Sequence, residues 1–272
     1  MLTVLDASLP DELLSLLLDA PTLEMYPEEF LVQFPPAVRS YLLAWHLIFD
    51  TYSKASFKLQ NDYSDSLKKQ NFVEPFLNFM FDVLGHSAGH ELNLDKEGFT
   101  RDFIRSYDVE IANTEAEERN MHWLLLHLLF LTLKHIPGLF RTWFLDCRDK
   151  QTKNSLKPWL VKYFSPLIIS DALDEVIDWA EKQEEPTDDE KELLVKVSRA
   201  AREVTAGYEV DEEVASMVIR VPPAFPLETC EVVGIKRVAV SEKKWQAWLL
   251  STQGVIKFGV RLYFQGSCWA KN

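Results

Sequence analysis

One stretch of the sequence departs from the helical pattern of the rest, and it spans residues 193–250, LLVKVSRAAREVTAGYEVDEEVASMVIRVPPAFPLETCEVVGIKRVAVSEKKWQAWLL. Apolar and other residues alternate with a period of two over residues 214–221, and β-branched or aromatic side chains make up half of residues 203–210 and two of the three residues 231–233. A period of two is typical of a half-buried β-strand. We therefore predict a meander of three or four strands in this stretch.

The prolines in this stretch mark the end of a strand. Pro222, Pro223 and Pro226 cannot donate a backbone hydrogen bond to a neighbouring strand. They predict a stiff, extended crossover that leads to the next strand at Thr229.

A helix is predicted after the last strand. Ser241 is a suitable N-cap residue, and Trp245, Trp248 and Leu249 then share one apolar face at helical spacing. Strands, crossover and helix together predict a small α+β domain.

The order of these elements resembles the RWD domain. The segments PPAFPLE and KRVAVSEKKWQAWLL resemble the RWD domain of the listerin family, the RING-type E3 ubiquitin ligases of ribosome-associated quality control. Upstream, LKHIPGLFRTWFLDCRDKQTK at residues 133–153 is similar to the helical segment that precedes the RWD domain in that family. The resemblance covers roughly residues 120–252.

The start of the domain allows two interpretations. Residues 187–190, TDDE, match a helix capping box, which would extend a helix into residues 193–202. Leu193, Val195 and Val197 alternate, however, and the family resemblance favours a strand. We predict a strand here.

The region before the sheet shows helical periodicity from residue 11 to residue 180. An almost wholly apolar helix is predicted over 115–135 as the central helix of this region. Pro137-Gly138 should end it, and an antiparallel partner helix should follow. Residues 85–114 are predicted to be a long connection with one short helix at 98–107. Paired helices of this kind resemble HEAT repeats.

The predicted organisation is thus α followed by α+β. The expected parts are a HEAT-like helical domain (1–184), an acidic hinge (185–192), an RWD domain (193–253) and a divergent or artificial tail (254–272). The tail contains LYFQGS at residues 262–267, which matches most of an engineered protease-cleavage sequence.

Composition limits the possible partners. The formal charge is −13, which disfavours general binding to nucleic-acid backbones, and free DNA is not an expected partner. Three cysteines without CxxC spacing favour a reducing compartment. The longest dense apolar run, residues 123–133, is shorter than the roughly 20 residues that span a bilayer. These features predict a cytosolic protein that does not bind membranes.

The sequence offers two candidate reactive sites, a metal site and a nucleophilic cysteine, and neighbouring residues disfavour both. His86, His90 and Glu91 could face a metal, but Gly89 disfavours a helix there and no further ligand follows, so no metal site is predicted. Cys230 lies in the stretch that resembles the RWD domain, and this resemblance implies a fold similar to that of ubiquitin-conjugating enzymes, yet the flanking acids Glu228 and Glu231 disfavour its thiolate. RWD domains also generally lack the catalytic cysteine. No catalytic residue is predicted.

The predicted partner-binding site is a basic cluster formed by Lys236, Arg237, Lys243 and Lys244. Two of these residues follow the last strand and two open the next helix, so they could project from one end of the domain towards an acidic protein or RNA surface. A solvated basic rim is the alternative interpretation.

The family resemblance implies a role in docking. In that family a RING follows the RWD domain and needs eight Cys and His ligands for two zinc ions, which three cysteines cannot supply. We therefore expect a fragment that docks on the large ribosomal subunit and works with ribosome quality control factors. It is expected to be inactive alone and to hold no cofactor, since zinc and the E2 enzyme would bind only to the missing RING. The alternative is a generic RWD protein-interaction module with no ribosomal role.

Overall fold

The computed structural model describes residues 9–25, 33–182, 193–210, 213–238 and 240–258. Packing divides the chain into two compact units, residues 1–160 and 161–272. The predicted hinge at 185–192 lies outside the described residues, as does the predicted tail from residue 259 onwards.

The first unit is built from helices, as predicted. After a 3₁₀ turn at Leu23–Met25, three long helices are followed by three short ones and then by three long ones. The helices are α1 (Asp11–Leu16), α2 (Pro36–Lys54), α3 (Phe57–Lys69), α4 (Val73–Val83), α5 (Leu94–Glu97), α6 (Arg101–Arg105), α7 (Val109–Ala112), α8 (Glu117–His135), α9 (Pro137–Asp146) and α10 (Lys150–Tyr163).

Helix α8 is the central helix of this unit, which confirms the prediction. Fourteen of its 19 residues are buried, and α2 packs along it. Helix α9 is not its antiparallel partner: the chain bends by 105° at the break, so that part of the prediction is wrong. Pro137 begins α9 at a position where its missing N–H costs little, so the proline starts a new helix at an angle set by packing.

The connection between α4 and α8 holds three short helices, where one was predicted. Gly98 has a left-handed φ of 67° and ends α5, and Thr100 then caps α6 through its side chain. Asp108 caps α7 in the same way. The three helices are separate because each local polar cap starts a new helix, a signal that periodicity does not carry.

The second unit contains α11 (Ser165–Glu181), a four-stranded sheet and α12 (Glu242–Phe258). The strands are β1 (Leu193–Ser198), β2 (Glu203–Val210), β3 (Glu213–Arg220) and β4 (Glu231–Lys236). Their spatial order is β1-β2-β3-β4, with every neighbouring pair antiparallel. The predicted meander is confirmed, and residues 193–198 form a strand.

Both helices of this unit pack on one face of the sheet. Ile169, Leu173 and Val176 of α11 join a buried cluster that includes Val204 and Ile219. Trp245 of α12 joins a second cluster on the same face, which contains Ala206 and Met217. The compact unit therefore includes α11, whereas the predicted limit at residue 184 follows the change in periodicity.

The proline segment is a turn and not the predicted crossover. It joins β3 to β4, which are adjacent and antiparallel. The backbone N–H of Phe225 donates to Pro222 O at 3.0 Å, and that of Glu228 donates to Ala224 O at 3.1 Å. Proline fixes φ near a value that turns also use, so the prolines end β3 without forcing an extended path.

No single helix among the described residues combines the length and apolar composition needed to cross a bilayer. Within the described ranges, α8 and α9 reach this length and apolar composition when they are taken together across their 105° bend.

Candidate functional site

The four predicted basic residues lie at one end of the second unit. Lys236 is the last residue of β4, Arg237 follows it, and Lys243 and Lys244 stand in the first turn of α12. Arg237 Nη1 is 2.6 Å from Glu242 Oε2, which joins the end of the strand to the start of the helix. The structure therefore brings the four residues into one region, which we call the basic end.

Carboxylates balance part of this charge. Lys236 Nζ lies 3.3 Å from Glu213 Oε2, and Arg237 pairs with Glu242. The basic end and these two partners therefore carry 4 − 2 = +2 charges. All four paired side chains are substantially exposed, and exposed ion pairs contribute only about 0–1 kcal/mol, so a partner could exchange them at little cost.

The start of α12 is fixed by its cap and its tryptophans. The N–H of Lys244 donates to Ser241 Oγ at 3.4 Å, which confirms the predicted N-cap. Trp245 is buried against the sheet, and Trp248 is half-buried. Lys244 Nζ stands 5.5 Å from the centre of the Trp248 ring, within cation–π range.

Cys230 is a core residue. Its exposed fraction is 1%, and it packs with Val204, Ile219 and Val221 just before β4 begins. A ubiquitin C-terminus cannot reach a thiol in this position.

Gln253 is a positioning residue that the sequence did not reveal. Its side-chain Nε2 donates to Cys230 O at 2.8 Å, and its Oε1 accepts from Val232 N–H at 3.0 Å. The amide of α12 thus satisfies two backbone groups at the outer edge of the sheet and fixes the helix beside β4. A lone glutamine on a helix carries no sequence signal for such a contact.

His86, which was considered above as a metal ligand, is a packing residue. Gly85 and Gly89 adopt left-handed φ values and place His86 in a tight turn, not a helix. His86 is fully buried, and its Nδ1 lies 2.9 Å from Ser155 Oγ. Burial lowers the pKa of His86 to about 4. Within the described ranges, no group of three His, Cys, Asp or Glu residues could hold a metal ion.

Comparisons with known proteins give the same two-part organisation. Residues 1–177 match the LTN1 family HEAT repeat region, and residues 193–259 match the ubiquitin conjugating domain-like family. The second match and the antiparallel sheet with its helix confirm the predicted RWD-type fold.

The curated relatives all point to one family. E3 ubiquitin-protein ligase listerin from Neurospora crassa is 56% identical over 93% of this chain, and the Schizosaccharomyces pombe and Saccharomyces cerevisiae proteins are 28% and 25% identical over 92% and 79%. The chain spans 16%, 15% and 14% of the length of these relatives. By these matches, which cover both compact units, the chain belongs to the listerin family of E3 ubiquitin-protein ligases.

Proposed function

We propose that this chain docks a listerin-family ligase on the large ribosomal subunit and positions a RING, carried elsewhere in the longer protein, to ubiquitylate stalled nascent chains. The observation that carries the proposal is that a chain of this family gathers four basic side chains at one end of its RWD-type unit. Ubiquitin transfer, the E2 enzyme and zinc would belong to the RING. The expected compartment is the cytosol.

The position of the basic end supports a binding role over a stabilising one. Lysines in the first turn of a helix face the positive end of its dipole, so the helix dipole does not favour Lys243 and Lys244 at this end of α12. Their charge can instead interact with RNA phosphates or with acidic side chains of a ribosomal protein. Such attraction operates over roughly one Debye length, about 10 Å at 0.1 M salt.

Charge reversal at the basic end should weaken ribosome binding. We expect the variant Lys236→Glu, Arg237→Glu, Lys243→Glu and Lys244→Glu to bind purified large subunits at least about tenfold more weakly at low salt, because four attractive charges become repulsive. Co-sedimentation of the folded chain with large subunits measures this change.

A matched control separates a specific surface from a general charge effect. Lys58, Lys69, Lys96 and Arg101 are exposed in the first unit, and reversing them changes the net charge by the same amount. This control should retain nearly all the binding. Equal loss in both variants, or no sedimentation of the wild-type chain, would argue against docking through the basic end.

A second candidate function is binding to a non-ribosomal protein. The described surface of the second unit exposes Ile235 (60%) on β4 and Leu250 (71%) on α12, and such apolar side chains suit protein contacts better than RNA. Affinity purification at about 0.5 M salt distinguishes the two, since screening weakens contacts to phosphate more than apolar contacts. Retention of one non-ribosomal protein, with ribosomes lost, would favour this alternative.

A further inference from the structure

A cleft of about 760 Å³ opens in the first unit between the end of α3, α4 and the helices α9 and α10. This volume lies in the range of roughly 300–1,000 Å³ that is typical of ligand pockets. Neither the sequence patterns nor the proposed docking of the second unit assigns a role to it.

The cleft has a fixed aromatic wall. The rings of Phe81 and Trp143 stack with their centres 5.1 Å apart and their planes at 23°. Trp143 Nε1 donates to Asn78 Oδ1 at 2.9 Å, which holds the indole in one orientation. Phe81 is 1% exposed and Trp143 is 8% exposed, so only a small part of this wall is open to the cleft, and that part needs no ordering when a ligand packs on it.

The charge of the cleft is negative. Its lining includes four carboxylates and two basic side chains, so its formal charge is 2 − 4 = −2. Asp149 caps α10 and accepts from Thr152 Oγ1, a hydrogen bond that lowers its pKa and keeps it ionised.

The environment of Asp82 indicates that the cleft suits a cationic ligand. Asp82 is half-buried, and burial raises its pKa; a hydrogen bond with the Ser87 side chain lowers this pKa, and the nearby charge of Asp149 raises it. No ion pair joins Asp82 to a lysine or arginine within the described part of the chain. A carboxylate that is desolvated beside a second one is stabilised by a cation placed between them.

We propose that this cleft binds an extended basic peptide segment, with an arginine side chain between Asp82 and Asp149 and a neighbouring apolar side chain against Trp143. Arginine suits the site because its planar guanidinium can donate hydrogen bonds to two carboxylates at once. The segment binds through the first unit and uses none of the residues of the basic end, so this inference stands apart from the ribosomal docking.

Peptide binding tests the proposal directly. A fluorescein-labelled peptide, GLRLRG, should bind the full chain saturably in an anisotropy titration, whereas GLELEG should not. The variant Asp82→Asn with Asp149→Ser should bind GLRLRG at least about tenfold more weakly, since the charges of the half-buried Asp82 and the exposed Asp149 are both removed. Asparagine keeps a polar side chain beside Ser87, and serine keeps an N-cap acceptor for α10, so the variant should fold.

Asp62→Asn with Asp65→Asn is the matched control, because it removes two exposed charges from α3 outside the cleft. It should bind GLRLRG like the wild type. The Trp143 indole N–H resonance, assigned with Trp143→Phe, should shift on binding. No saturable binding below about 1 mM, equal binding of both peptides, an unchanged dissociation constant in the folded cleft variant, or an unmoved Trp143 resonance would each overturn the proposal.

Discussion

Acidification from about pH 7.5 to about pH 5 is expected to lower the free energy of unfolding of the first unit by about 4 kcal/mol. His86 and His127 are buried, and burial lowers the pKa of each to about 4 from its ordinary value of 6.5. One pKa unit corresponds to about 1.4 kcal/mol, and each histidine contributes about 2 kcal/mol of the loss by about pH 5. This is a large share of a typical stability of roughly 5–15 kcal/mol.

The sign follows from the protons bound in each state. The folded state holds these imidazoles neutral, so the unfolded state binds more protons below pH 6.5. Their stabilisation is fully present above that pH and is lost as the pH falls towards 4. His46 and His122 also have lowered pKa values because of burial and act in the same direction, whereas the raised pKa of Asp82 partly offsets them.

Urea unfolding at several pH values measures how the free energy of unfolding changes with pH. The chain also contains an internal control. All six histidines lie at or before residue 135, so the second unit contains none. Hydrogen exchange of peptides from the sheet should therefore change far less between about pH 6.5 and pH 5 than that of peptides from α8. His86→Gln and His127→Gln should each reduce the change in the free energy of unfolding of the first unit with pH. A first unit equally stable at about pH 7.5 and pH 5 would show that these histidines are not desolvated.

Substitution of Gly234 by valine is expected to destabilise the second unit by about 3 kcal/mol. A Cβ at this position would lie 2.8 Å from both Cζ2 and Nε1 of Trp245, which is itself buried. Overpacking of this kind typically costs about 1–3 kcal/mol, and valine adds two further methyl groups. Valine normally has a higher strand propensity than glycine. A loss of stability here would therefore have to come from the contact with the indole.

Hydrogen exchange of β4 and α12 measures this effect, and a double-mutant cycle assigns it. Gly234→Ala should cost less in a Trp245→Leu background than in the wild type, with a coupling free energy of about 1 kcal/mol or more. Ile235→Val, on the neighbouring exposed residue, should change stability by less than about 0.5 kcal/mol. A neutral or stabilising Gly234→Val would mean that the indole does not sit over β4.

This contact also bears on the proposed docking. Trp245 stands one residue after Lys244, so a displaced indole moves the first turn of α12 relative to Lys236 and Arg237. Gly234→Val should therefore weaken large-subunit binding although it leaves every charge of the basic end in place.

The strands and long helices could be predicted because their signals are local. Alternation of apolar residues at 214–221 and the helical stripe of α8 reflect which face of an element is buried, and burial is what sequence periodicity records. Ser241 was predictable for a similar reason, since a capping side chain bonds within its own turn.

The candidate site was predictable only in part. The sequence places Lys236, Arg237, Lys243 and Lys244 on the end of a strand and the start of a helix, but it does not reveal that Glu213 and Glu242 pair with two of them. Glu213 lies 23 residues from Lys236 along the chain and meets it only because β3 and β4 are neighbours.

The sequence by itself determined the order and type of the strands and the long helices, because the hydrophobic period that predicts them acts over a few residues. Only the tertiary structure decided that α11 belongs with the sheet, that Gln253 fixes α12 to β4, that His86 is buried and that Asp82 and Asp149 share a cleft. These contacts join residues far apart in the chain, and their partners are selected by packing, for which no single stretch of sequence contains a pattern.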